Sequence, residues 1–297
     1  MSTFAKFWGV RGSIPTPGHH THRYGGNTSC VEVRVGESLF ILDAGTGIRD
    51  LGIDLMNRGL ANIEGHLLVS HPHWDHIQGF PFFTPSFVEG NTFKVYSTGE
   101  ADGHEILGLL SGQMDSKHFP VSFRDLEAKI LPGEISPAGI DINGTRVNFM
   151  KQVHPGGSYG YSLEGEGKKI VYATDSEVDV HLKSESVVVD IENEPEELRP
   201  IPDRYLEFVD GADLLIADTQ YTDEEYIGKV GWGHPRASTI VDMAIQAGVK
   251  RLALFHHDPM HSDDHVEDKL LRCQERARYH GSSIEIFAAR ERLELKV

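Results

Sequence analysis

The sequence predicts an α/β fold in one domain over residues 1–297. Short apolar segments of strand length recur along the whole chain. In the last third they alternate with segments of helical periodicity, and no repeat or linker-like stretch interrupts the order. A chain of 297 residues is long enough to bury a full core.

The elements follow in order. Residues 4–10 read as a strand, and RGSIPTPGHH after them as a loop, from its Gly and Pro content. Residues 30–35 (CVEVRV) and 38–42 (SLFIL) form a hairpin around Gly36-Glu37, and its second strand ends at Asp43-Ala44-Gly45. Residues 48–58 have helical spacing. Residues 66–70 (HLLVS) make a short apolar strand that ends directly at His71. Beyond a Pro-interrupted apolar stretch come a strand over 92–97 and a helix over 105–114. Short strands return from 130 onward, one over 146–153 running into His154 and one over 169–173 (KIVYA) running into Thr174-Asp175. In the last third, 213–217 (DLLIA) is a buried-type strand. Ala237, Ile240, Val241, Ala244 and Ile245 share one helix face that Gly248 terminates. Residues 251–255 (RLALF) run into His256-His257, Ser262-Asp263-Asp264 opens another helix, and 284–287 and 293–297 close the chain as strands.

Charge and composition narrow the function. A net charge of −17 argues against a large nucleic acid as partner, because such a binder presents a basic face to phosphates. A small phosphorylated substrate stays compatible, since bound cations and a few arginines invert the field inside a pocket. Cys30 and Cys273 are too few for a disulfide framework and read as buried thiols in a reducing compartment. With no secretory-type N-terminus and no apolar run of roughly 18 residues, a cytoplasmic location and no membrane partner are expected. Residues 177–203 carry nine acids against Lys183 and Arg199, with Pro195, Pro200 and Pro202, and read as a solvated surface excursion.

Chemistry concentrates in Ser70-His71-Pro72-His73-Trp74-Asp75-His76. Three imidazoles and a carboxylate directly after a buried strand suit a divalent metal, which takes His nitrogen and carboxylate oxygen. On an extended segment His71 and His73 point the same way, and a turn after them lets Asp75 and His76 face a second point. His154, Asp175 and His256 each follow a strand, the placement expected of ligands on a rigid sheet edge. His19, His20 and His22 read as solvated, and Arg11 and Arg23 as phosphate contacts or ordinary ion pairs.

This order of strand-Asp43-Ala-Gly, HxHxDH, a lone His, a lone Asp and a final His resembles the metallo-β-lactamase superfamily over essentially the whole chain. The resemblance implies an αββα sandwich with two divalent metal ions at one sheet edge, zinc foremost and manganese or iron next. His71, His73 and His154 would hold one ion, Asp75, His76 and His256 the other. Asp175 would bridge them, and Asp43 would support the ligands from behind. Finer motifs, Asp213 to Thr219, Gly233-His234-Pro235-Arg236-Ala237-Ser238-Thr239 and Leu254 to Pro259, are similar to the ribonuclease Z group. The opening, with Gly9 to Ser13 and Gly25-Gly26-Asn27-Thr28, resembles relatives that hydrolyse cyclic nucleotides or ribosyl cyclic phosphates. His154 and Asp175 lie only 21 positions apart, which leaves no room for the long arm of tRNA-processing members.

The expectation is a metal-dependent phosphodiesterase of small cyclic or short phosphodiesters, in which a metal-bridged hydroxide attacks. Asp75 and His234 are the catalytic residues, with His234 protonating the leaving group and Asp218 or another carboxylate orienting it. A homodimer is the assembly the resemblance suggests. The rival readings are a thioesterase, lactonase or β-lactamase on the same scaffold, and a non-catalytic nucleotide sensor. At the final motif His256 is the expected ligand, and His257 points the opposite way if the strand continues through both.

Overall fold

The computed structural model describes residues 3–60, 62–97, 103–182 and 197–297. The first half of these runs β1 (Phe4–Gly9), β2 (Cys30–Val35), β3 (Ser38–Leu42), α1 (Ile48–Asn57), β4 (Glu64–Leu68), α2 (Trp74–Ile77), β5 (Thr92–Ser97), α3 (Gly103–Gln113) and β6 (Lys129–Glu134). A hairpin series follows: β7 (Ile140–Ile142), β8 (Thr145–Gln152), β9 (Ser158–Gly165) and β10 (Lys168–Ala173). The remainder is α4 (Asp203–Val209), β11 (Leu214–Asp218), α5 (Asp223–Tyr226), α6 (Ala237–Gln246), β12 (Arg251–Phe255), α7 (Asp263–Tyr279), β13 (Glu285–Ala288) and β14 (Glu294–Lys296).

These strands form two seven-stranded sheets. One has the order β14-β1-β2-β3-β4-β5-β6, the other β13-β12-β11-β10-β9-β8-β7. Both are mixed: β3 to β6 are parallel in the first, and β10 to β13 in the second. Parallel strands covered on both faces need continuous apolar runs, and SLFIL, LLIAD and RLALF supply them. Phe7, Phe40, Tyr161, Ile170, Tyr172 and Phe255 fill the space between the sheets. Full burial of each such aromatic contributes roughly 1.5–3 kcal/mol. A second apolar layer packs α4, α6 and α7 onto one sheet, and a third packs α1 and α3 onto the other. The result is the expected αββα sandwich. Among the described residues, no helix is long and apolar enough to cross a membrane.

Two differences from the sequence reading have clear causes. The strand expected over 66–70 ends at Leu68, because the Ser70 amide is captured by Asp43 Oδ1 at 2.7 Å instead of a neighbouring strand. The excursion expected over 177–203 is not solvated at its start: Glu177 and Asp179 are 2% and 1% exposed. Buried backbone amides and Arg236 satisfy both carboxylates. Glu185, Asp190, Glu192, Glu194 and Glu196 lie outside the described residues.

Candidate metal centre

Strand direction delivers the site. β3 and β4 are parallel, as are β10, β11 and β12, and β8 shares the direction of β10 because both are antiparallel to β9. Their C-terminal ends carry Asp43, His71, His154, Asp175, Asp218 and His256. Asp43, Asp175 and His256 take left-handed backbone, with φ of 61°, 53° and 57°. Outside glycine this conformation costs roughly 1–2 kcal/mol per residue, and it stops a strand by turning the chain sharply. Thus β12 ends at Phe255, and strand alternation does not govern the His256-His257 pair. The two rings diverge through the turn at His256. His257 lies buried away from the cluster, with its Nε2 donating to the Ala289 carbonyl at 2.9 Å.

Seven side chains converge. His71 Nε2 and His154 Nε2 each lie 3.0 Å from His73 Nδ1, and both are 3.8 Å from Asp175 Oδ1. On the other side, Asp75 Oδ2 lies 3.1 Å from His76 Nε2 and 3.2 Å from His256 Nε2. Asp175 Oδ2 lies 3.2 and 3.3 Å from the same two nitrogens. Asp175 therefore turns one oxygen to each set. Four ligand atoms arranged tetrahedrally at about 2.0–2.1 Å from a divalent ion are about 3.3 Å apart, so both sets have the spacing of a metal-ligand shell. The short helix α2 makes the turn that brings Asp75 and His76 to the second set.

The hydrogen bonds behind the cluster fix the tautomers. His76 Nδ1 donates to Asp43 Oδ2 at 2.8 Å, His154 Nδ1 to the Gly233 carbonyl at 3.0 Å, and His256 Nδ1 to Gln220 Oε1 at 3.0 Å. Each Nε2 is thereby left as a lone pair facing the cluster, the arrangement that metal-ligating histidines use. His76 Nε2 is buried and has no hydrogen-bond partner among the described residues, which a cation between it and the two aspartates would supply. Asp43 also receives Ser70 Oγ and Tyr172 Oη at 2.8 and 2.7 Å. The Ser13 amide donates to Asp75 Oδ2 at 2.7 Å, and Gly12 sits so near His256 that a Cβ there would lie 2.4 Å from its ring.

Electrostatics agree with this donor set. Burial, reinforced by His76, pushes His71 well below the usual imidazole range, and burial lowers His154 too. His76 moves the other way, because Asp75, Asp175 and Asp43 outweigh the burial that opposes its charge. Burial also opposes the charges of Asp75 and Asp175. The imidazoles of His76 and His256 outweigh it and hold both carboxyls well below the usual range. In the metal-free cluster the charge favoured on His76 offsets the buried carboxylates; a divalent cation would take the place of that proton and complete the centre.

His234 forms a wall of this centre. Its ring centroid lies 5.2 Å from that of His154 and 5.1 Å from that of His256. Its Nδ1 donates to Asp218 Oδ2 at 2.7 Å and lies 3.7 Å from Asp175 Oδ1. Burial alone would lower its pKa, but Asp218 reverses this and raises it to about 9. Arg11 does not face the cluster. It is fully buried and donates to the carbonyls of Gly25, Asp258 and His261, so it ties loops together and is not a phosphate contact. Arg23 pairs with Asp263 and Asp264, while His19, His20 and His22 are exposed. Sequence reasoning missed Gln220 and Glu177, for neither position carries a motif.

Comparison with known proteins gives the same reading. Residues 40–257 match the family described as the beta-lactamase superfamily domain. Ribonuclease Z of Haloarcula marismortui is 24% identical over 290 residues, covering 86% of this chain and 86% of that protein. The metallo-beta-lactamase fold protein YhfI from Bacillus subtilis superposes with a TM-score of 0.64 at 18% identity, over 99% of both chains. A diphosphatase from the PhnP family superposes with a TM-score of 0.63 at 15% identity, over 99% of this chain and 98% of the other. The relatives named ribonuclease Z are similar to this chain at 24–26% identity, and the chain itself belongs to the metallo-β-lactamase superfamily of hydrolases.

Proposed function

We propose that this hydrolase is a metal-dependent phosphodiesterase acting on a small cyclic or short phosphodiester, such as a cyclic nucleotide or a ribosyl cyclic phosphate. The observation that carries the reading is Asp175, whose two oxygens face two separate ligand sets. His71, His73 and His154 would hold one divalent ion and Asp75, His76 and His256 the other, with Asp175 between them. Zinc is the first choice and manganese or iron the alternatives. Such a pair, when bound, lowers the pKa of water and offsets phosphate charge.

The chain's own residues supply the rest. In the metal-free protein Asp218 raises His234 to about 9 against its burial, so the pairing favours a ring that carries both protons. Nδ1 donates to Asp218, so the Nε2 proton is the one available to a departing alkoxide. Asp218 holds the ring against the cluster and stabilises its charge. Asp75, fixed by the Ser13 amide, would keep its charge toward the ion that it shares with His76 and His256.

Two features favour a small substrate over tRNA. Between His154 and Asp175 the chain is only the β9–β10 hairpin, turning at Glu166-Gly167, and the net charge is −17. The test is one preparation assayed against 2′,3′-cyclic nucleotides, a thioester, a lactone, a chromogenic β-lactam and a tRNA precursor. Preferential turnover of the cyclic phosphodiester is expected. Preference for the thioester, lactone or β-lactam would replace the reading, and turnover of none would favour a sensor.

A further inference from the structure

Asp175, Glu177 and Asp179 alternate along one five-residue stretch, and each carboxylate has a different task. Asp175 lies in the cluster. Glu177, 2% exposed, receives the Tyr226 hydroxyl at 2.7 Å and the Gly231 amide at 2.6 Å on Oε1, and the Gly233 amide at 2.7 Å on Oε2. Asp179 receives the Arg236 amide at 3.0 Å, Arg236 Nε at 2.7 Å and Thr239 Oγ1 at 2.6 Å. The loop bearing His234 is thus held on both sides of that residue by the segment that carries Asp175. Gly231 and Gly233 have φ of 86° and 95°, which lets both amides turn toward one carboxylate. The Gly233 carbonyl accepts from His154, and a Cβ at Gly233 would lie 2.2 Å from His154 Nδ1, so this loop sits tightly on the cluster.

We infer that Glu177 is a positioning residue for His234: it clamps the 231–233 loop and so sets the distance between the proton donor and Asp175. Without the clamp, Trp232, 61% exposed, and the two glycines beside it would leave His234 tethered mainly through Asp218 and the Arg236 side. A buried carboxylate that satisfies two amides and a hydroxyl is a rigid anchor, whereas the amide of Gln presents a donor to at least one group that needs an acceptor. The inference rests on His234 being the proton donor of the proposed reaction.

The test is a double-mutant cycle of Glu177→Gln and His234→Ala on a 2′,3′-cyclic nucleotide, with limited trypsin cleavage after Lys229 of the same as-purified proteins. Glu177→Gln is expected to lower kcat about tenfold with KM and metal content within twofold. Placed on His234→Ala it should lower kcat less than twofold further, since a residue acting through His234 adds little once His234 is gone. Cleavage after Lys229 should be several-fold faster in Glu177→Gln. Equal losses in both backgrounds, or cleavage at the wild-type rate, would overturn the clamp. A wild-type kcat for His234→Ala would sink the proton-donor reading instead, and the cleavage rates show separately whether the loop was held. Should Glu177→Gln not fold, Tyr226→Phe removes one of the three donors. It is expected to give a weaker form of the same pattern, and wild-type behaviour in both readouts counts against the inference.

Discussion

His234 Nδ1 and Asp218 Oδ2 lie 2.7 Å apart in a wall of the histidine–aspartate cluster, and the pair is buried. A short charge-assisted hydrogen bond in such a place fixes the ring and keeps it protonated. In the proposed reaction this would hold a cation beside the leaving oxygen as it acquires charge. His234→Ala is therefore expected to retain its metals and lose about 10²–10⁴-fold in kcat on a cyclic nucleotide. On a nitrophenyl phosphodiester, whose leaving group needs no proton, the loss should shrink sharply. Steady-state kinetics on both substrates decide it, because a residue that only positions substrate damages both alike.

The same pair predicts a pH dependence. In chelator-treated protein, the His234 ring should titrate at about 9, as burial is outweighed by Asp218, and Asp218→Asn should bring it down. A folded pKa above the ordinary 6.5 means that the pair's stabilisation is complete below that pH and is lost as pH rises through about 9. The melting-temperature gap between wild type and Asp218→Asn should accordingly narrow from pH 6 to pH 9. Histidine NMR chemical shifts read the titration itself, and an ordinary value for His234 would refute the assignment.

Metal content follows from the two ligand sets. Protein purified without chelator should carry about two transition-metal equivalents by elemental analysis, and chelation should lower its melting temperature, since ions bound only by the folded state stabilise it. His256→Ala should retain about one equivalent. His257→Ala should retain both and instead lose about 1–3 kcal/mol of stability, because the Ala289 carbonyl is left without its buried donor. Reversal of the two metal contents would show that the ligand is His257.

Asp43 touches the site only through its neighbours. It accepts from His76 Nδ1, Ser70 and Tyr172, so Asp43→Ala frees the His76 ring and leaves a buried hydroxyl without its acceptor. The expected cost is about 10–100-fold in metal affinity with the ligands themselves intact. Competition against a chelator of known affinity measures it.

What the sequence disclosed were features with short range. The strands running into Asp43, Asp175 and His256 were legible because doubly covered parallel strands must be apolar, so the first polar residue marks the sheet edge. His71 to His76 stood out because the ligands sit within one turn of chain. Glu177 escaped notice because its partner Gly233 is 56 positions away, and an acid followed by further acids reads as surface. The halt of β4 at Leu68 depends on an Asp43 side chain 27 positions before Ser70, which local propensity does not register. The strand alternation expected to separate His257 from His256 fails because the backbone turns at His256, and it is this turn that leaves His257 against the Ala289 carbonyl.

The left-handed residues at the sheet edge have a further implication for how this chain tolerates change. Asp43, Asp175 and His256 each occupy backbone that glycine or asparagine would adopt with less strain. In the absence of divalent ions, selection for thermal stability would push Asp175 and His256 toward glycine and asparagine, relieving backbone strain and dismantling the proposed ligand set, whereas Asp43 would be retained because it accepts from the Ser70 amide, Ser70 Oγ, His76 and Tyr172. Variants recovered from such a screen are thus expected to trade activity for melting temperature at Asp175 and His256 first, before any change in the aromatic layer between the sheets.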